Sequence, residues 1–230
     1  MIIQVRGTSG SGKSHLVRLV MATFPSRFPV RDNELPTGKK RKHPVGYYMI
    51  NPPHSPLFVP GHYESPCGGV DTINWARTKP KEMKDPNTGE LFTAPGITGW
   101  EFANQSVIER SKEHCNVIYE GLMVGYDKKF ILLFKEQGIP VKVIGLNTPF
   151  KECVVNVKKR REARGDFSKF YPHNSRQRIK PFNRAMDQLE SQGVDVHRVS
   201  VDEAFNLCAE WLNLPHSNIK KAQRNLEKFS

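Results

Sequence analysis

No stretch of this chain approaches the length of apolar sequence that a membrane-spanning helix needs. Cysteine is scarce: Cys67, Cys115, Cys153 and Cys208 stand far apart, with no C-x-x-C pair among them. That spacing excludes a disulfide framework and a thiolate zinc site, and predicts buried or half-buried thiols in a reducing cytoplasm. Acidic residues are also few, 23 Asp and Glu against 35 Lys and Arg, for a net charge of +12. The basic residues do not lie opposite a continuous apolar helical face, so a membrane surface is a poor partner. The excess favours a polyanion, nucleic acid first. No internal repeat is visible. With the first strand expected from residue 2, no targeting segment or upstream domain is expected either.

What the chain does have begins at once. Gly7-Thr8-Ser9-Gly10-Ser11-Gly12-Lys13-Ser14 is a complete G-x-x-x-x-G-K-S run between an apolar strand candidate, Ile2-Ile3-Gln4-Val5, and an amphipathic helix. A strand, a glycine-rich loop and a helix in that order predict a phosphate-binding P-loop. The glycines let successive N–H groups turn inward around phosphate oxygens, and the helix points its positive dipole end at them. Lys13 is then expected to reach the β- and γ-phosphates and Ser14 to ligate Mg²⁺.

Strand and helix signals alternate along the rest. A first helix is predicted from Lys13 to Phe24, through Leu16, Val17, Val20 and Met21, ended by Pro25 and Pro29. Residues 25–97 are rich in proline, glycine and aromatics and carry the basic cluster Lys39-Lys40-Arg41-Lys42. Within them Val45 to Ile50 and Leu57 to Val59 read as two short strands joined across Asn51-Pro52-Pro53. Thr98 and Glu101 form a capping box for a helix with Trp100, Ala103, Val107 and Ile108. Asn116 to Tyr119 is an apolar strand ending in Glu120, and Val141 to Leu146 is another. Thr148 caps a further helix with Pro149 in its first position. A basic helix near Ser175 to Gln192, a strand from Val194 to Val199, and a Ser200/Glu203 capping box leading to Phe205, Leu207 and Trp211 complete the pattern. The expected fold is α/β: a parallel sheet with helices on both faces, in a single domain over 1–214 with a polar basic tail, 215–230. Residues 25–97 form an acceptor-side insertion and 158–192 a basic lid region.

Phosphoryl transfer needs cradled phosphates, a metal, positive charge and a group that orients the attacking hydroxyl. Glu120 is placed for the metal, since ligands in open α/β sheets gather beyond the carboxyl ends of strands. The helix face Phe150, Cys153, Val154, Val157 continues as Arg160, Arg161 and Arg164, an arginine lid for phosphates, with Gly165 as helix stop and hinge. On the acceptor side, residues 61–72 offer His62, Glu64 and Asp71 as bases, Tyr63 as a stacking surface, and Gly68-Gly69 for close backbone approach. Asp71 is the first choice for orienting the acceptor and Glu64 the second. Direct in-line transfer gives Cys67 no nucleophilic role.

These parts resemble a P-loop kinase of the nucleotide-kinase type, the stretch Leu146-Asn147-Thr148-Pro149, Cys153, Lys159-Arg160-Arg161 and Arg164-Gly165 being similar to a lid helix. Residues 61–72 look like the loop of bacteriophage P-loop kinases, in particular the 5-hydroxymethyluracil DNA kinases of thymidine hypermodification. The resemblance implies a P-loop NTPase fold and use of ATP with Mg²⁺. It also implies phosphorylation of a base hydroxymethyl already within DNA, in a phage-infected host cytoplasm, with no obligate protein partner. Residues Lys39–Lys42 and Arg176–Arg184 would contact DNA phosphates. Two alternatives remain: a kinase of a free nucleoside, nucleotide or small metabolite, and a nucleotide switch or nucleic-acid-binding module. No N-K-x-D guanine-reading motif is present, which weakens the switch.

Overall fold

Near-continuous apolar strands, buried on both faces, set the centre of the molecule. The computed structural model describes residues 1–31, 43–65, 68–73, 81–84, 89–94, 99–214, 218–220 and 222. In chain order the elements are β1 (Ile2–Arg6), α1 (Lys13–Ala22), β2 (Ser26–Val30), β3 (Gly46–Ile50), β4 (Leu57–Pro60), β5 (Lys81–Lys84) and β6 (Leu91–Ala94). There follow α2 (Gly99–Lys112), β7 (Asn116–Glu120), α3 (Lys129–Glu136), β8 (Val141–Leu146), α4 (Phe150–Glu162), α5 (Pro172–Arg176), α6 (Ile179–Ser191), β9 (Asp195–Val199) and α7 (Val201–Trp211).

Seven strands form one sheet in the order β2-β3-β4-β7-β1-β8-β9. The five from β4 to β9 are parallel, while β2 and β3 add antiparallel at one edge. Alternation along β1 splits the core in two. Ile3 and Val5 pack with Leu16 and Val20 of α1 and Phe205 of α7; Ile2 packs with Val107 of α2, Phe134 of α3 and Met186 of α6. Helices therefore cover both faces, as the alternating pattern predicts. Fully buried Arg6, at the end of β1, sits on the second face. It donates to Gln4 Oε1, to the Gly125 carbonyl at 3.3 Å and to the Asp127 carbonyl. Burial lowers its pKa to about 10, so the guanidinium stays charged and anchors the strand end from beneath.

Several expectations need correction. Residues 25–97 are less of an insertion than their composition implies, because β2, β3 and β4 join the main sheet and only β5 and β6 pair separately. Pro29 lies within β2, which an edge strand tolerates because one side has no ladder to break. The first helix stops at Ala22, ahead of both prolines. The basic helix is two helices, α5 and α6, parted at Gln177 and Arg178. Helix α3, over a stretch that carried no sequence assignment, is amphipathic and buries Ile131 and Phe134. In the expected tail, Ile219 and Ala222 pack against the α1–α7 core and Asn218 Nδ2 donates to the Thr23 carbonyl at 2.9 Å. The Lys39–Lys42 cluster, Cys67 and Thr98 of its capping box lie outside the described residues, as does the Trp100 side chain. Cys115, Cys153 and Cys208 are buried free thiols.

Candidate active site

Parallel pairing brings the carboxyl ends of β1, β7, β8 and β9 to one side of the sheet. Val5 pairs with Glu120, so the acid at the end of β7 stands beside the mouth of the glycine loop. The loop needs its glycines: Gly10 has φ +84°, and a Cβ there would lie 2.2 Å from the Cys153 carbonyl oxygen. Lys13 is folded back and buried, its Nζ donating to the Gly7 and Thr8 carbonyls at 2.9 Å each. Ser14 Oγ donates to Glu120 Oε1 at 2.7 Å. Burial pushes the Glu120 carboxyl up to about 7 against the opposing pull of the Lys13 ammonium and the Ser14 hydrogen bond. Burial likewise lowers Lys13, opposed by Glu120 and Asp71. This is a compact charge cluster held out of water, whose electrostatics respond strongly to any added charge.

The 61–72 loop presses on the same cluster. Gly69 has φ +81°, and a Cβ there would sit 2.3 Å from the Glu120 carbonyl oxygen and 2.6 Å from its Oε1, so the loop backbone packs directly against Glu120. The Gly68 N–H points at Ser14 Oγ, 3.4 Å away. Asp71 Oδ2 accepts from the Leu122 N–H at 2.5 Å, which fixes the carboxylate over the end of β7. Arg18, four residues on from Ser14 and hence on the same face of α1, donates to the Tyr63 carbonyl at 3.3 Å and the Ser65 carbonyl at 2.5 Å.

Other loop residues take different places. Tyr63 is 6% exposed within the core, so it offers no stacking surface. Glu64 lies outside the cavity described below: it accepts from the Tyr47 hydroxyl at 2.5 Å and from Arg27 at 3.2 Å, with His43 Nδ1 3.2 Å away. Among the described residues, His43, His62 and Glu64 are the one group whose ligand atoms cluster tightly enough for a metal. The two imidazoles are stacked, with centroids 4.2 Å apart and planes 23° apart. An imidazole binds a metal in its own ring plane, so two nearly parallel rings share an ion poorly. The group reads as a clamp tying the loop to β3.

Helix α4 runs across the glycine loop. Asn156 Nδ2 donates to the Gly10 carbonyl at 2.9 Å and Arg160 to Ser9 Oγ at 3.3 Å. Thr148 does not cap the helix; its hydroxyl donates to the Ser11 carbonyl at 2.8 Å, and Pro149 takes the cap position with no side-chain bond. Of the three arginines expected at the phosphates, Arg160 alone lines the cavity. Arg161 turns to Asp166 and Ser168, and Arg164 lies beyond the end of α4.

These parts enclose one cavity of about 820 Å³, lined by residues 9–14 of the glycine loop, Arg18, Gly68, Asp71, Glu120, Asn156, Arg160 and the Ser200–Asp202 turn. Sequence reasoning missed Arg18, Glu152, Asn156 and Asp202. The four-residue spacing of Glu152, Asn156 and Arg160, and of Ser14 and Arg18, is the signal that places them on single helix faces. The residues fit a phosphate chain with a hard divalent cation. Main-chain N–H groups and a helix start face the cavity, and Ser11 Oγ is buried with no partner among the described residues. Ser14 and Glu120 supply the all-oxygen donor set such a cation takes.

The chain is similar to two phage proteins along most of its length. It is 30% identical over 212 residues, 92% of this chain and 96% of the relative, to a protein of Pseudomonas phage PaMx11 named 5-hmdU DNA kinase. It is 26% identical over 220 residues, 89% of this chain and 72% of the relative, to the 5-hmdU DNA kinase of Delftia phage PhiW-14. No protein-family profile and no solved structure matches the chain.

Proposed function

The chain belongs to the 5-hmdU DNA kinase family, and from that premise we propose that it transfers the γ-phosphate of ATP to the hydroxymethyl oxygen of 5-hydroxymethyluracil within DNA. In this proposal the domain is a P-loop NTPase acting on phage DNA in the host-cell cytoplasm. One observation carries it. The Lys13–Ser14–Glu120 cluster and the Asp71 carboxylate face a single cavity, so a phosphate donor and a hydroxyl acceptor can meet without leaving it.

Residues 7–14 (Gly7, Thr8, Ser9, Gly10, Ser11, Gly12, Lys13 and Ser14) hold the triphosphate, with Lys13 exchanging its carbonyl contacts for phosphate oxygens. Ser14 and Glu120 hold Mg²⁺, which when bound neutralises phosphate charge. Asp71, oriented by Leu122, accepts the proton of the attacking hydroxyl as the new ester bond forms and the bond to ADP breaks. Arg160, already at Ser9, stabilises charge on the phosphoryl oxygens, whereas Arg161 and Arg164 reach the phosphates only if the end of α4 rearranges. A base must leave its stack for the hydroxyl to come in line with ATP, at a cost of a few kcal/mol. Contacts from the basic 158–192 region to DNA phosphates offset that cost, and binding then weakens steeply with salt.

The test is γ-labelled ATP with Mg²⁺ beside 5-hydroxymethyluracil DNA, unmodified DNA and free nucleosides and nucleotides. Label on the modified DNA alone is expected; label on monomers alone replaces the proposal with a small-metabolite kinase.

A further inference from the structure

Helix α4 ends in a turn that holds an aromatic ring in open solvent. Gly165, at φ +69°, stops the helix, its N–H bonding to the Glu162 carbonyl at 2.9 Å and that of Asp166 to the Arg161 carbonyl at 3.0 Å. Arg161 then donates to Asp166 Oδ1 at 3.0 Å, to the Ser168 carbonyl at 2.9 Å and to Ser168 Oγ. Ser168 closes the turn on Asp166 Oδ1 through its hydroxyl at 2.7 Å and its N–H at 3.1 Å. Both neighbours of Phe167 are thereby pinned, and Phe167 itself is 81% exposed.

A ring on a loose tail loses entropy when it docks; a ring on a pinned turn is already presented. Its surroundings indicate what it meets. Lys169 lies over the ring of half-exposed Tyr171, Nζ to centroid 5.2 Å. Further on, the exposed cations Arg176, Lys180 and Arg184 line a concavity of about 540 Å³. Aromatic faces interleaved with cations suit a nucleic acid, whose bases stack and whose phosphates pair, better than an apolar partner surface. The turn is also tied to the active site, since Arg161, which braces it, adjoins Arg160, which touches Ser9 of the glycine loop.

We propose that Phe167 is a wedge that enters the base stack at the modified pyrimidine and fills the gap left when that base is extruded into the cavity. Tyr171 stacks on a flanking base, and Arg176, Lys180 and Arg184 grip the phosphates alongside. This rests on the acceptor being a base in DNA. Phe167 is a positioning residue: it contacts the DNA and stays away from the reacting atoms. Its contribution disappears wherever the target base is already unstacked.

The experiment compares wild type, Phe167→Ala and Phe167→Trp on 5-hydroxymethyluracil in a matched duplex, in the same duplex opposite an abasic site, and in a single strand. Phe167→Ala is expected to lower kcat/KM on the matched duplex by about 10–100-fold, the scale of one lost stacking contact, and to recover to within about threefold on the single strand. Phe167→Trp keeps duplex activity. A 2-aminopurine beside the target base should brighten with wild type and not with Phe167→Ala. Equal loss on all three substrates, or no loss on any, overturns the wedge while leaving DNA kinase activity intact. Wild type inactive on all three but active on the free nucleoside overturns the acceptor assignment instead.

Discussion

At the glycine loop, position comes from buried main chain; in the turn between α4 and α5 it comes from exposed side chains. Lys13, Ser14 and Glu120 are set by strand ends and by backbone that only glycine permits, with Gly10 against Cys153 and Gly69 against Glu120. Beyond Gly165 the turn relies on Arg161, Asp166 and Ser168, all in contact with water, and presents Phe167 outward. The first arrangement buries Lys13 and Glu120, which strengthens the charge interactions between them. The second keeps cations and an aromatic ring available to a large polyanion. A kinase that phosphorylates a polymer has use for both, a rigid buried charge cluster for transfer and a solvent-exposed surface for grip.

The sharpest way to break this contrast is Lys13→Ala. Transfer should fall by about 10³-fold or more, as for loss of a principal charge stabiliser, while DNA retention in a gel-shift assay stays unchanged. Retained transfer would mean that the glycine loop does not hold the donor. Next, Asp71→Asn should reduce kcat by about 10²–10³-fold with the KM for ATP little changed, in the range of a lost general base.

A third measurement uses the charge cluster without substrate. Burial raises the Glu120 carboxyl to about 7 in the folded protein, whereas in the unfolded chain it returns to its ordinary value near 4.5. Stability from this group is therefore present at low pH and declines as pH rises from about 4.5 to 7. A Tm series should show wild type losing ground across that window relative to Glu120→Gln. Parallel curves would remove the raised carboxyl pKa. Gly69→Ala follows, with a cost of about 2–3 kcal/mol from strain and collision, seen as a Tm lower by roughly 4–10 °C. The smallest effect belongs to Glu64→Gln: kcat should stay within about twofold, because its half-exposed ion pairs are worth little and lie outside the cavity. A large loss of kcat would restore Glu64 as the acceptor-orienting base.

Much of the architecture around the glycine loop was legible in the chain. The G-x-x-x-x-G-K-S run, the strand ending in Glu120, the strand Val141–Leu146 and the Ser200/Glu203 capping box occur as read, because each depends on neighbours a few residues away. Local signals failed where distant partners decided. Thr148 has the sequence of a helix cap but bonds to Ser11, a better use of its hydroxyl once α4 packs on the loop. Arg161 continues the apolar face of α4 by periodicity, yet Asp166 and Ser168, brought round by the turn at Gly165, take its guanidinium. Asp71 and Glu64, the first and second choices for orienting the acceptor, lie in one polar loop but part ways in the fold. Gly61 and Gly69 fold that loop so that Asp71 reaches Leu122 while Glu64 is drawn to Tyr47 on β3.

By itself, then, the sequence determined the alternation of strands and helices, the glycine loop between β1 and α1 and the basic character of the chain. Hydrophobic periodicity, glycine conformational freedom and net charge are properties of short segments or of composition. Only the tertiary structure decided that Asp71 and not Glu64 faces the cavity, which arginine of α4 reaches the loop, and that Phe167 is held outward at the end of α4. The acid and arginine placements depend on pairs tens of positions apart, Asp71 with Leu122 and Arg160 with Ser9, which exist only after sheet and helices have packed. The Phe167 turn depends on Asp166 and Ser168 coming back to Arg161 once Gly165 has ended the helix.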